Sequence, residues 1–120
     1  MKTALVSPAS SIWWKVGAIA GASGVLLGAF GAHGLMNRTK DPKMLKNWEI
    51  ASYYQLIHSV VLLATPMCRR PKLAGGLIAT GTMLFSGSLY AVTLTGEKKL
   101  GMITPIGGVA MVAGWLALIV

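Results

Sequence analysis

The residues best suited to chemistry lie in one stretch, Asn47 to Thr65, where tyrosine, glutamine, histidine, serine and threonine interrupt an apolar run. On a helix, Asn47, Tyr54, His58 and Thr65 fall within about 40° of one another. Ser52, Gln55 and Ser59 lie beside them, so one arc of about 160° carries the polar side chains. The remaining arc is Ile50, Tyr53, Leu56, Ile57, Val60, Leu63, Ala64 and Met67. That split sends one face to lipid and the other to protein or water. A histidine deep in such a helix is costly against lipid and turns inward. Tyr54, Gln55, His58 and Ser59 therefore form the candidate polar site. Tyr54 and His58 are one turn apart, and they could relay a proton, ligate a haem or metal, or contact a small polar substrate. The plainer reading is a histidine that fixes helix register through hydrogen bonds worth about 1 kcal/mol each.

His33, the only other histidine, closes the first apolar run in Gly-Ala-His-Gly. It is expected about 10 Å from His58 in depth. That argues against a shared metal, and two histidines are a weak metal signal. Paired carboxylates, a Ser-His-Asp set and a phosphate-binding glycine loop are all missing from the sequence. The expectation is a protein that is not an enzyme and holds no metal or cofactor. Cys68, the single cysteine, stands beside Arg69 and Arg70. It is either a site of acylation or an inert residue at the membrane surface, and it leaves no intrachain disulfide.

These residues must be positioned by membrane-spanning elements. Of 120 residues, 54% are hydrophobic and 12% charged, with a mean hydropathy of +0.64. A soluble domain of this length would need more charge to cover its surface. Four apolar runs, about 12–35, 48–67, 73–95 and 101–120, have no charge in their middles, and each approaches the roughly 20 helical residues a bilayer core requires. Backbone groups in lipid must be satisfied within the segment, so the runs are read as helices. The expected fold is an all-α membrane protein: one domain, 1–120, with about four transmembrane helices in an up-and-down bundle. Asp41-Pro42 is expected to open a short interfacial helix leading into the second span, and Pro105 to kink the fourth.

Gly17, Gly21, Gly24, Gly28 and Gly31 recur every four or three residues and share a sector of about 80° on the first helix. Small residues let helices approach closely in lipid, so this groove packs either against the chain's own helices or against another subunit. The net charge of +8 would suggest nucleic acid in a soluble protein. Here the basic residues flank the apolar runs and are read as headgroup anchors, each worth about 1 kcal/mol at an anionic leaflet. Arg69, Arg70 and Lys72 are the expected headgroup contacts, with lipid and other membrane proteins as partners and no nucleic acid. Counting basic residues at the two ends, five against six, gives no orientation by the positive-inside rule. Met1 to Ser11 is too weak for a transit peptide, and the run after it is too long for a signal-peptide core, so the segment is expected to be retained.

Gly-Ala-Phe-Gly-Ala-His-Gly-Leu, Gly28 to Leu35, resembles the hallmark of a small membrane family, the transmembrane protein 256 homologues and their bacterial counterparts. The similarity includes Gly31, His33 and Gly34, then Trp48, Ala51, Tyr54-Gln55 and His58. It continues through the Cys-Arg-Arg-Pro turn, Gly81, Thr82 and Phe85, and the closing run from Thr104 to Leu118. The resemblance implies four helices and an integral membrane location. For a eukaryotic member it implies the mitochondrial inner membrane. It transfers no catalytic residue. Three functions follow as expectations: an accessory or structural component of a membrane complex, such as a respiratory complex; a small transporter or proton conductor on the polar face of the second helix; or a haem- or quinone-binding redox subunit.

Overall fold

The computed structural model describes residues 10–120; Lys2 and the rest of the segment before Ser10 lie outside them. Four α-helices follow in order: α1 (Ser11–His33), α2 (Pro42–Ala64), α3 (Pro71–Thr95) and α4 (Thr104–Ala117). Short 3-10 turns, Leu35–Asn37, Thr65–Met67 and Lys98–Met102, fill the connections. Such brief links make each helix run antiparallel to the next.

The helix ends have local causes. Asp41 caps α2 by accepting the Lys43 N–H at 3.0 Å, and Pro42 occupies the first turn, where its missing N–H costs no helix bond. The helix then runs unbroken into the membrane segment, so the expected separate interfacial helix is simply the first turns of α2. Pro105 likewise sits in the first turn of α4 and produces no kink there. Gly96 ends α3 with φ at 77°, the left-handed conformation that glycine adopts without strain, and its N–H reaches the Val92 carbonyl at 2.8 Å.

The extensive interfaces are α1 with α2, α2 with α3, and α3 with α4; α1 meets α3 only slightly. The Cα extents are 50 × 28 × 16 Å, so the helices form an open layer and not a closed square bundle. Ser11–His33, Pro71–Thr95 and Lys98–Ala117 are long and apolar enough to cross a membrane. α2 has the length, with 23 residues, but carries Asn47, Glu49, Gln55 and His58. Gln55 is shielded from lipid by α1 and α3 and His58 by α4, whereas Glu49 stays exposed.

Glycines set the spacing. The five glycines of the α1 groove all face α2: a Cβ added at Gly17 would stand 2.9 Å from the Ser59 carbonyl oxygen, one at Gly24 3.0 Å from Leu56, and one at Gly31 2.8 Å from the Trp48 indole nitrogen. At Gly21 and Gly28 the nearest atom is a serine Oγ, of Ser59 at 3.3 Å and of Ser52 at 3.8 Å. The α3–α4 contact repeats the device, since a Cβ at Gly81 would lie 2.7 Å from the Met111 nitrogen and one at Gly114 2.8 Å from Ile78. Close backbone approach replaces the hydrophobic effect, which is absent between helices in lipid. The Ser88 and Thr104 hydroxyls also hydrogen-bond across α3 and α4.

Candidate functional site

The polar arc of α2 is buried by three different neighbours. Gln55, near the middle of the helix, joins α1 to α3. Its Nε2 donates to the Ala20 carbonyl at 2.9 Å and to Ser23 Oγ at 2.8 Å, and its Oε1 accepts from the Tyr90 hydroxyl at 2.7 Å. Both amide protons and the carbonyl are thereby engaged. Two helical turns away, Trp48 is 2% exposed and donates its indole N–H to the Leu27 carbonyl at 2.7 Å. Its ring packs on Tyr90 at 4.6 Å and on Phe30 at 5.4 Å between centroids. Ser86 of α3 adds a further link, donating to the Ala51 carbonyl at 2.7 Å.

His58 points elsewhere, toward α4. The Trp115 indole N–H donates to its Nε2 at 3.0 Å, and its Nδ1 lies 2.7 Å from the Tyr54 carbonyl oxygen. An indole N–H can only donate, so Nε2 accepts and the ring proton sits on Nδ1, directed at that carbonyl. Both ring nitrogens are occupied. A haem or metal at Nε2 would have to displace Trp115.

Tyr54 and His58 do meet, but through their rings, which stack at 5.9 Å with 11° between planes; Tyr54 also packs on Phe85 at 4.6 Å. Tyr54 is 41% exposed, whereas Gln55, His58 and Ser59 are buried. Ser59 turns toward α1, beneath Gly17 and Gly21, and donates to the Leu56 carbonyl at 2.6 Å. The four candidate residues therefore share a helix face without converging on one cavity. A groove of about 360 Å³ between α1 and α3 touches Gln55 alone among them, with Ser23, Thr82 and Tyr90 along its walls.

His33 is exposed at the last turn of α1, at the end where α2 begins, far from His58. Among the described residues no group of three or more histidine, cysteine or acidic side chains is placed to hold a metal ion. Gly31 packs on Trp48, and Gly34 stays in the right-handed helical region, with the Phe30 ring filling the space a Cβ would take. Arg69, Arg70 and Lys72 are exposed at the α2–α3 turn, with Cys68 half-buried beside them.

Ser23, Trp48, Tyr90 and Trp115 add to the polar contacts of α2, and none of them stands among the candidate site residues of the sequence. Ser23, a polar residue at the centre of α1, was the available signal. Glu49 is also new: its carboxylate lies two turns into α2, 3.5 Å from the Lys46 ammonium.

Residues 27–108 match the family described as "Protein of unknown function (DUF423)". The chain is 39% identical over 115 residues to a UPF0382 membrane protein of Schizosaccharomyces pombe, covering 89% of this chain and 98% of that protein. It is 44% identical over 110 residues to a UPF0382 membrane protein of Staphylococcus aureus, covering 88% and 89% of the two chains. For YwdK of Bacillus subtilis, also a UPF0382 membrane protein, the identity is 40% over 112 residues, covering 88% and 90%. No solved structure matches the chain. With four helices, three of them long and apolar enough to span a membrane, and with these relatives, the chain belongs to the DUF423 family of membrane proteins, the family to which its resemblance to the transmembrane protein 256 homologues pointed.

Proposed function

We propose that this protein is a non-enzymatic structural or accessory component of a larger membrane assembly. One observation carries the reading. Each buried polar side chain from Ser52 to Thr65, namely Ser52, Gln55, His58, Ser59 and Thr65, has a hydrogen-bond partner in the protein. Catalytic and transport sites need polar groups with capacity left for a substrate; here Gln55 and His58 are engaged in joining helices, while Ser52, Ser59 and Thr65 donate to carbonyls of α2 itself. The open layer leaves broad apolar faces, with Ile19, Leu26 and Val109 each about 70% exposed, against which lipid or other helices can pack. Relatives in bacteria and in a yeast are consistent with a membrane of bacterial descent. For a eukaryotic chain we therefore favour the mitochondrial inner membrane, with a respiratory complex as a candidate partner.

Gentle extraction of native membranes, native-gel separation and mass spectrometry of co-migrating proteins tests the proposal. Migration within a defined larger assembly is expected. Migration alone, near the chain's 12.6 kDa plus bound detergent, would overturn it and return the weight to transport along the Tyr54–His58 face.

A further inference from the structure

Glu49 is the only acidic residue within the four α-helices. An ionisable group at membrane depth is expensive and calls for a partner. Its partner is Lys46, at 3.5 Å, with both side chains about half or more exposed, so neither charge is buried by the protein itself. Glu49 opens onto a groove of about 500 Å³ between α1 and α2, on the side of α1 away from α3. Its walls are small or apolar: Gly24, Gly28 and Ala32 on α1, with Leu45, Tyr53 and Leu56 on α2. From Leu45 to Leu56 the groove descends about 16 Å at 1.5 Å per residue, roughly one leaflet of a hydrocarbon core that is about 30 Å thick.

We propose that this groove binds a phospholipid with a primary ammonium headgroup, its acyl chain lying along Gly28 and Ala29 and its head bridging Glu49 and Lys46. Charge complementarity identifies the occupant. The same membrane end carries Arg38, Lys40, Lys43 and Lys46, which attract a lipid phosphate. Asp41 is committed to capping α2. Glu49 then supplies the negative charge an ammonium requires, and a primary ammonium can donate hydrogen bonds to it while a quaternary one cannot. A purely anionic headgroup would satisfy the lysine but stand against the carboxylate. The room at Gly28, where a Cβ would come no nearer than 3.8 Å to another residue, leaves the chain path open.

The test is native mass spectrometry of the full chain exchanged into detergent micelles doped with phosphatidylethanolamine, phosphatidylcholine or phosphatidylglycerol. Phosphatidylethanolamine should be retained about tenfold better than the other two, the factor expected from one charge-assisted hydrogen bond. Glu49→Gln, at an exposed position, should keep the fold and erase that preference. Gly28→Leu, which fills the groove, should lower retention of all three lipids. Tighter binding of phosphatidylglycerol by the unaltered protein, or an unchanged preference in Glu49→Gln, would overturn the proposal. So would undiminished retention in a folded Gly28→Leu.

Discussion

Replacing Gln55 with leucine keeps side-chain size and removes every hydrogen bond between α1, α2 and α3 that passes through the amide. Three bonds are lost, to the Ala20 carbonyl, to Ser23 Oγ and from the Tyr90 hydroxyl. Interhelical hydrogen bonds in membrane proteins average about 0.6 kcal/mol, so the three together supply about 2 kcal/mol. The Ala20 carbonyl and the Ser23 hydroxyl retain partners within α1 and incur no further cost. The Tyr90 hydroxyl is left facing a methyl group, which adds about 1 kcal/mol at the low end for an orphaned donor. The expected loss is therefore about 3 kcal/mol. Titration with sodium dodecyl sulfate from mild detergent micelles, followed by circular dichroism, measures it. Tyr90→Phe and the double variant close a cycle in which the Gln55–Tyr90 coupling should fall between about 0.6 and 1.7 kcal/mol. A Gln55→Leu variant within about 0.5 kcal/mol of the parent, a difference typical of surface changes, would refute the assignment of this glutamine as a helix clasp.

Other outcomes follow from the same geometry. Gly17→Ala should destabilise by about 1–3 kcal/mol in the same titration, because its methyl group meets the Ser59 backbone, while Gly28→Ala should be nearly neutral. His58→Phe and Trp115→Phe remove the same hydrogen bond, so each should cost about 1 kcal/mol and the pair less than their sum. Liposomes holding the parent protein or His58→Phe should pass protons no faster than empty ones; a parental flux abolished by the substitution would contradict the accessory reading. Gly96→Val should cost about 1–2 kcal/mol, since valine must adopt the left-handed backbone at φ 77°, and thermal unfolding in micelles would register it.

Much of this architecture was legible in the residue order, and the misses have physical causes. Apolar runs separated by short basic turns reveal helices because a membrane imposes length and internal hydrogen bonding on its spans. The Asp41-Pro42 cap was visible too, but sequence could not say whether its helix was separate or continuous with α2. A helical wheel explains the fate of the polar arc. It orders side chains by angle and compresses depth, so Gln55, His58 and Ser59 look like one site. In the fold, Gln55 turns to α1 and α3, His58 to α4 and Ser59 to α1. Trp48 begins an apolar run in the sequence, and extension of α2 back to Pro42 carries it inside the protein, against Gly31 and Tyr90. The glycine spacing located the α1 groove, whereas its occupant, α2, required the three-dimensional pairing.

The most direct measurement for the central claim is site-specific photo-crosslinking in native membranes, with the reactive group placed at Val109 on the outward face of α4, 70% exposed. Gly17, closed off by α2, cannot accept a probe without disrupting the fold, so exposed Ile19 on α1 provides the second test position. A member of a larger assembly should give a discrete protein adduct from at least one of these faces, identical across preparations and identifiable by mass spectrometry. Adducts to lipid alone from both faces would contradict the account.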